Sequence, residues 1–202
     1  KLNLKLEKAE KENKLPKIII PVHLAGASCD MKTLKKLSVR YKFNIIEDAS
    51  HATGGKYKNK PVGSCQYSSI SIFSLHPVKI ITAGEGGVAT TNDKILFEKM
   101  QYLRSHGIIK DKKRFIGKND EPWIYEQQSL GFNYRLTDIQ CALAMSQLKR
   151  LENIVKERNF LLNRYNFLLS ELPVKLLTIP ESVISAVHLA IIRINNQDES
   201  IH

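Results

Sequence analysis

Cysteine is scarce in this chain. Cys29, Cys65 and Cys141 are odd in number, far apart and form no CxxC pair. Such spacing offers neither a structural zinc site nor a disulfide framework, so no metal is expected, and reduced thiols in a cytoplasmic setting are the simplest account. Long apolar runs are missing too: none approaches the roughly 18 residues needed to span a bilayer. The opening stretch, KLNLKLEKAEKENKLPK, is charged throughout and lacks the apolar centre of a signal peptide. No membrane partner is expected. The first residue is Lys rather than Met, which reads as a chain internal to a longer protein. Repeats and low-complexity tracts are also lacking, which excludes solenoid architectures.

Within its 202 residues, 43% are hydrophobic and 25% charged, the balance of a globular chain with room for a sizeable core. Lys and Arg number 31 against 20 acidic residues, a net charge of +11. The basic residues are interleaved with Glu and Asp rather than clustered, and no basic–aromatic stripe or nucleic-acid motif is present. A solvated Lys-rich surface is the plainer reading, and no nucleic-acid partner is expected. A surface of this sign also suits anionic, phosphorylated small molecules.

The elements alternate in the α/β manner. Residues 1–14 read as a charged helix with Leu2, Leu6 and Ala9 along one side, ended by Pro16. Residues 17–22 (KIIIPV) read as a buried strand. Asp30 is placed to cap a helix from Met31 to about Lys42, with Leu34 and Leu37 inward. Residues 44–47 (NIIE) form a short apolar strand whose far end delivers Asp48. A turn-rich stretch, HATGGKYKNKPVGS, follows. Strands are then expected at 67–73 (YSSISIF) and 87–91 (GVATT), and a helix from about Asp93 to Arg104. Residues 106–131 read as a long polar loop, uncommon unless functional. Thr137 and Gln140 form a capping box opening one long amphipathic run that Glu171-Leu172-Pro173 ends. Residues 186–194 (AVHLAIIRI) read as a strand beginning a second unit. The natural boundary lies near residue 136, with 1–136 as one unit and 137–202 as the helical run and the start of another.

Three constellations carry chemistry, and each has a plainer alternative. Glu47-Asp48-Ala49-Ser50-His51 follows a strand, where ligands of open α/β sheets bind, though a loop carboxylate capping a turn would look the same. Ser74 and Lys79 sit in FSLHPVK, ahead of the glycine turn GEGG at 84–87. A lysine there can attack aldehydes once neutral, and glycines allow close approach of backbone to a ligand. The alternative is an exposed lysine beside a hairpin. Asn133 and Arg135 precede the capped helix in GFNYRLTDIQ, where amides and backbone N–H groups can meet an anion, or simply form the lead-in to the helix.

Taken together, in this order and spacing, EDASH, FSLHPVK with GEGG, and GFNYRLTDIQ resemble the DegT/DnrJ/EryC1/StrS sugar aminotransferases. The likeness runs from about Ile18 to the end. PVHLAG, KYKNKPVGSC, HPVKIITAGEGG and RSHGI are most similar to the branch that serves pseudaminic acid biosynthesis. The resemblance implies the aspartate-aminotransferase-like α/β fold (type I). On that basis 1–136 is part of a large domain around a mostly parallel sheet, and 137–202 opens a small C-terminal domain. It implies pyridoxal 5′-phosphate as cofactor, Lys79 as the catalytic Schiff-base lysine, and Asp48 as the partner of the ring nitrogen. His51 would lie near the ring hydroxyl, Ser74 would donate to the phosphate, and Asn133 would reach the phosphate of a neighbouring subunit in a homodimer. The implied reaction moves an amino group, with glutamate as donor, to a keto group of a nucleotide-linked deoxysugar.

Leu75 stands where several relatives have Phe. The family's upstream phosphate turn and ring-stacking aromatic have no counterpart in these residues, so this piece alone is expected to bind the cofactor poorly and to be inactive. Two other readings stay open. One is a dehydratase of the same family, against which Lys79 argues, because that branch commonly has His in its place. The other is a non-catalytic remnant that keeps the fold.

Overall fold

The computed structural model of the chain, which describes residues 1–117 and 121–194, has the alternating helices and strands that the sequence pattern implies. Residues 118–120 of the expected long loop and the end of the second unit, 195–202, lie outside the described residues. Helix α1 (Leu2–Lys11) buries Leu6, and the chain then enters strand β1 (Ile18–Ile19). Helix α2 (Met31–Tyr41) begins where Asp30 accepts the Thr33 N–H at 3.2 Å and ends where Lys42 turns left-handed at φ 56°. Strand β2 (Asn44–Asp48) runs parallel to β1, so β1, α2 and β2 form a βαβ unit.

The turn-rich stretch is a hairpin of β3 (Lys56–Tyr57) and β4 (Lys60–Pro61). Lys58 and Asn59 form its two-residue turn, both with positive φ (47° and 63°), the backbone that matches the twist of a tight hairpin. Strand β5 (Ile70–Ser74) pairs parallel to β2, and β6 (Gly87–Thr90) pairs antiparallel to β5. The resulting sheet, in the order β1-β2-β5-β6, is mainly parallel. The expected strand at 67–73 therefore starts later and carries Ser74 as its last residue.

Leu6, Met31, Tyr41, Phe43 and Ile45 form a cluster in which α1 and α2 cover one face of this sheet. The expectation of a buried strand at 17–22 needs correction. Ile18, Ile20, Val22 and Ile72 lie on the opposite face, that of Asp48, and remain 43–58% exposed. The two helices cover the other side, and β1 is an edge strand of only two residues.

Helix α3 (Lys94–Arg104) starts at the Asp93 cap, which accepts from the N–H groups of Ile95 and Leu96. The long 106–131 loop is not structureless: β7 (Ile108–Ile109) pairs antiparallel with β8 (Glu126–Gln127), around a 3-10 turn at Lys112–Arg114. The Thr137/Gln140 capping box forms as the sequence implies. The run it opens is two helices rather than one, α4 (Asp138–Leu148) and α5 (Leu151–Leu168), separated at residues 149–150. Strands β9 (Val174–Leu176), β10 (Val183–Ile184) and β11 (Ile192–Ile194) follow. The single strand expected at 186–194 is thus absent. β10 pairs with β3 and β11 with β9, and the stretch between them leaves strand geometry to lie against residues 25–26, where Ala186 and His188 donate to Gly26 and Ala25. Among the described residues, no helix is long and apolar enough to cross a membrane.

Candidate active site

Asp48 owes its position to β2, a strand short enough that its last residue emerges at the carboxyl end of the sheet, where α/β folds bind ligands. Its backbone is fixed from both sides. The N–H donates to Pro21 O at 2.9 Å, the carbonyl accepts from His23 N at 3.0 Å, and Ala49 N donates to Ile72 O of the next strand. Its Oδ1 accepts the Ser50 N–H at 3.1 Å. Partial burial alone would raise the Asp48 pKa. The Ser50 hydrogen bonds and the positive sides of His51 and His23 outweigh burial and hold the carboxyl below its usual range.

Beneath Asp48 lies a buried polar network. Glu47, one residue earlier, points into the core-facing side of β2 and is only 5% exposed. It accepts from His23 Nε2 at 2.8 Å, from Ser71 Oγ at 2.9 Å and from Ser68 Oγ. Cys29 N–H donates to His23 Nδ1 at 3.2 Å, which makes Nε2 the protonated nitrogen and the donor to Glu47. Burial pushes the Glu47 pKa up, but the bonds from His23, Ser68 and Ser71 win and keep the carboxylate ionised. The sequence offered Glu47 only as part of EDASH and His23 only as part of PVHLAG. The network joining them depends on strand pairing.

Lys79 sits in the turn after β5, half-buried, with its N–H on His76 O at 3.0 Å. The turn is anchored on both flanks. Leu75, Ile81 and Ala83 are buried beneath Leu136, Ala144, Leu151 and Ile154. Thr82 Oγ1 donates to Leu75 O at 2.8 Å. Helix α4 grips the same turn twice. Gln147 Oε1 accepts the Thr82 N–H at 2.9 Å, and Gln140 Nε2 donates to Glu85 O at 3.2 Å. These glutamines are two turns apart and so share one face of the helix. Ser74, the last residue of β5, accepts the His76 N–H on its Oγ at 3.4 Å.

Asp48, His51 and Lys79 are brought together, close enough for each charge to affect the next. Burial disfavours a charge on His51, Lys79 adds to that and Asp48 opposes it, so the imidazole pKa lies below its ordinary value. A fourth group joins them that the sequence did not single out. His188 packs against His51, with ring centroids 4.4 Å apart and the planes tilted by 40°. Burial, then the positive charges of His51, Lys79 and Arg158, push the His188 pKa down to about 4. The Nδ1 atoms of His51 and His188 are both buried and without a hydrogen-bond partner among the described residues. The signal in the sequence was a lone histidine inside the apolar run AVHLAIIRI, which reads equally well as a strand.

Asn133 is not part of this group among the described residues. It lies on an exposed segment bridged to Ser105, with its Oδ1 accepting from Arg135 Nη2 at 3.2 Å. Arg135 also lines an open cleft of about 460 Å³ beside α3 and β7, together with Tyr102, Arg104, Lys110, Asp111 and Arg114. Four cations against two acids, Glu98 and Asp111, leave this cleft net positive and attractive to an anion.

A family model described as the DegT/DnrJ/EryC1/StrS aminotransferase family matches residues 1–202. The chain is 43% identical, over 145 residues, to UDP-4-amino-4,6-dideoxy-N-acetyl-beta-L-altrosamine transaminase of Campylobacter jejuni, covering 72% of this chain and 36% of that protein. Among solved structures it is similar to Helicobacter pylori PseC, an aminotransferase involved in the biosynthesis of pseudoaminic acid. That match has a TM-score of 0.77 at 33% identity, over 89% of this chain and 45% of the other. A candidate sugar aminotransferase of Streptococcus pneumoniae, Spr1654, matches in its PLP and PMP forms. The TM-scores are 0.75 and 0.76 at 28% and 30% identity, over 88% of this chain and 48% and 49% of those chains. The chain spans little more than a third of the length of the curated relatives it matches.

Proposed function

The chain belongs to the DegT/DnrJ/EryC1/StrS aminotransferase family, and from that premise we propose that it is the lysine-bearing part of a sugar aminotransferase that uses pyridoxal phosphate. The observation that carries this reading is the meeting of Lys79, Asp48 and His51 at the carboxyl end of the sheet, with two buried imidazole nitrogens left unpartnered beside the lysine. Unpaired buried polar atoms are rare in folded proteins, and a polar aromatic ligand beside them would supply what they lack. An ionised Asp48 and an amine on Lys79 fit the two ends of such a ring. The PLP and PMP forms of the Streptococcus pneumoniae relative support the same group.

Pyridoxal phosphate, when bound, supplies an aldehyde that condenses with amines and a ring that takes up the electrons left by a departing proton. Lys79 Nζ would hold that group, and as a free amine it would serve as the base that takes a proton from the donor carbon and the acid that gives it back. The Asp48 carboxylate would keep a proton on the ring nitrogen, a role that needs it ionised, as its lowered pKa favours. His51 lies toward the ring hydroxyl, and Ser74 offers its hydroxyl to the phosphate. In this reading Asn133 serves the phosphate of a partner subunit, 1–136 belongs to the large domain, and 137–202 leads into the small one.

For substrate we propose a UDP-linked 4-keto-6-deoxy-N-acetyl-L-altrosamine-type sugar with glutamate as donor. The Campylobacter jejuni relative and the Helicobacter pylori neighbour support this choice. The cationic cleft at Arg104, Lys110, Arg114 and Arg135 suits a nucleotide diphosphate. Borohydride reduction of the full-length protein loaded with pyridoxal phosphate, followed by peptide mapping, tests the reading. Label is expected on Lys79, and label on another lysine refutes the assignment.

A further inference from the structure

We infer that His188, carried in from the far end of the chain, is a positioning residue of the Lys79 site whose ring holds the His51 imidazole beside the lysine. This rests on the reading of Lys79 above.

The first support is the amount of backbone arranged to bring that ring to one place. Val187 adopts φ 50°, and Ala25 adopts φ 58°. Left-handed backbone is unfavourable for any residue with a Cβ and most of all for a β-branched one, so such residues persist only where surrounding contacts impose them. The contacts are present. Arg158 Nη1 donates to Val187 O at 3.1 Å, and Asn159 Nδ2 donates to Ser185 O at 2.9 Å. Ser185 Oγ accepts the Val187 N–H at 3.0 Å. From the other side, Gly26 O accepts Ala186 N at 3.0 Å and Ala25 O accepts His188 N at 2.8 Å. Gly26 itself has φ 98°, and a Cβ there would lie 2.7 Å from Val187 N and 3.0 Å from both His188 N and His51 O. Only glycine lets the His51 turn and the His188 segment close on each other.

The second support is the pair itself. The rings are 4.4 Å apart, and each buries an Nδ1 with no hydrogen-bond partner among the described residues. The charged groups facing the pair are Lys79, Asp48 and Arg158. His51 is the easier of the two to protonate, because Asp48 favours its charge while the charged neighbours of His188 among the described residues are positive. His188 therefore stays neutral across the working range and acts on His51 by covering it.

The test uses the full-length protein without cofactor, with histidine ring nitrogens labelled for NMR, in His188→Ala and His188→Phe forms. Removing the ring should expose His51 to water and raise its titration midpoint toward the ordinary 6.5. Phenylalanine, which keeps the cover, should leave the midpoint within a few tenths. In a separate titration, His188→Ala should weaken pyridoxal phosphate binding about fivefold, the scale of one mispositioned hydrogen bond. His188→Gln should give both alanine readings and serves if the alanine form fails to fold. An unchanged His51 midpoint in a folded alanine or glutamine variant overturns the inference and leaves His188 as packing alone. Because the NMR is done without cofactor, it reads the His51–His188 coupling even if borohydride labelling shows that Lys79 is not the cofactor's lysine.

Discussion

Replacing Glu47 by alanine should be among the most damaging single changes in the chain, although Glu47 touches neither the lysine nor the cleft. Its carboxylate is the common acceptor for His23 Nε2–H, Ser68 and Ser71 in the core beneath Asp48. The serines can partly re-pair, since Ser71 Oγ lies 3.4 Å from Ser68 Oγ and 3.5 Å from Cys65 Sγ. His23 cannot, because its Nε2–H has no acceptor other than Glu47 among the described residues. One stranded buried donor costs about 1–3 kcal/mol, and the bonds lost were made to a charged acceptor, so a loss of roughly 2–3 kcal/mol is expected. With a urea slope of about 2 kcal/mol/M, the unfolding midpoint should fall by about 1–1.5 M at unchanged slope. Glu47→Gln keeps the volume and one acceptor oxygen, and should lose about half as much. The pH dependence provides a second reading. The Glu47 pKa is lowered on folding, so its contribution is complete above the unfolded value of 4.5 and is lost as pH falls through the lower folded value. The parent should therefore weaken below about pH 4.5 more steeply than the alanine variant. A midpoint within about 0.3 M of the parent at pH 7 would refute the reasoning, because it would mean that the donors find water or other partners at little cost.

Three further outcomes are expected. Gln147→Ala removes the α4 acceptor from Thr82 N–H, and the Thr82 amide should exchange about tenfold faster, corresponding to about 1.4 kcal/mol of lost local protection; unchanged exchange would show that the apolar contacts hold the turn alone. Asp48→Asn in the full-length protein should cripple turnover while borohydride still labels Lys79, since an amide cannot hold a proton on the ring nitrogen; near-normal turnover would reduce Asp48 to a loop acid. Refolding full-length Lys79→Ala together with Asn133→Ala should restore activity above either parent at limiting cofactor, because one site of the hybrid dimer regains both groups. No recovery with hybrids present would place Asn133 in its own chain's site or in none.

Much of the scaffold follows from patterns that act within a few residues. Asp30 and Asp93 cap helices because a carboxylate there meets N–H groups two or three residues on, and Thr137 with Gln140 closes a box by the same local chemistry. The apolar run ending in Glu47-Asp48 specifies a strand whose end carries an acid. The glycine turn after Lys79 likewise marks a tight reversal. These are properties of the sequence itself, and they place Asp48, Ser74 and Lys79 near strand ends before any packing is known. Tertiary structure decided the rest. The exposed face of Ile18, Ile20 and Val22 depends on which side of the sheet α1 and α2 cover, which apolar content alone does not encode. The grip of Gln140 and Gln147 on the Lys79 turn requires a helix far along the chain to dock there. His188 shows the division most clearly. Local propensity makes AVHLAIIRI a strand, but hydrogen bonds from Arg158 and Asn159 and the close approach of Gly26 impose a left-handed Val187 and turn the histidine onto His51. Such long-range contacts outweigh a residue's own backbone preference, which is worth only about 1 kcal/mol, so no window of sequence around residue 188 could have revealed its place.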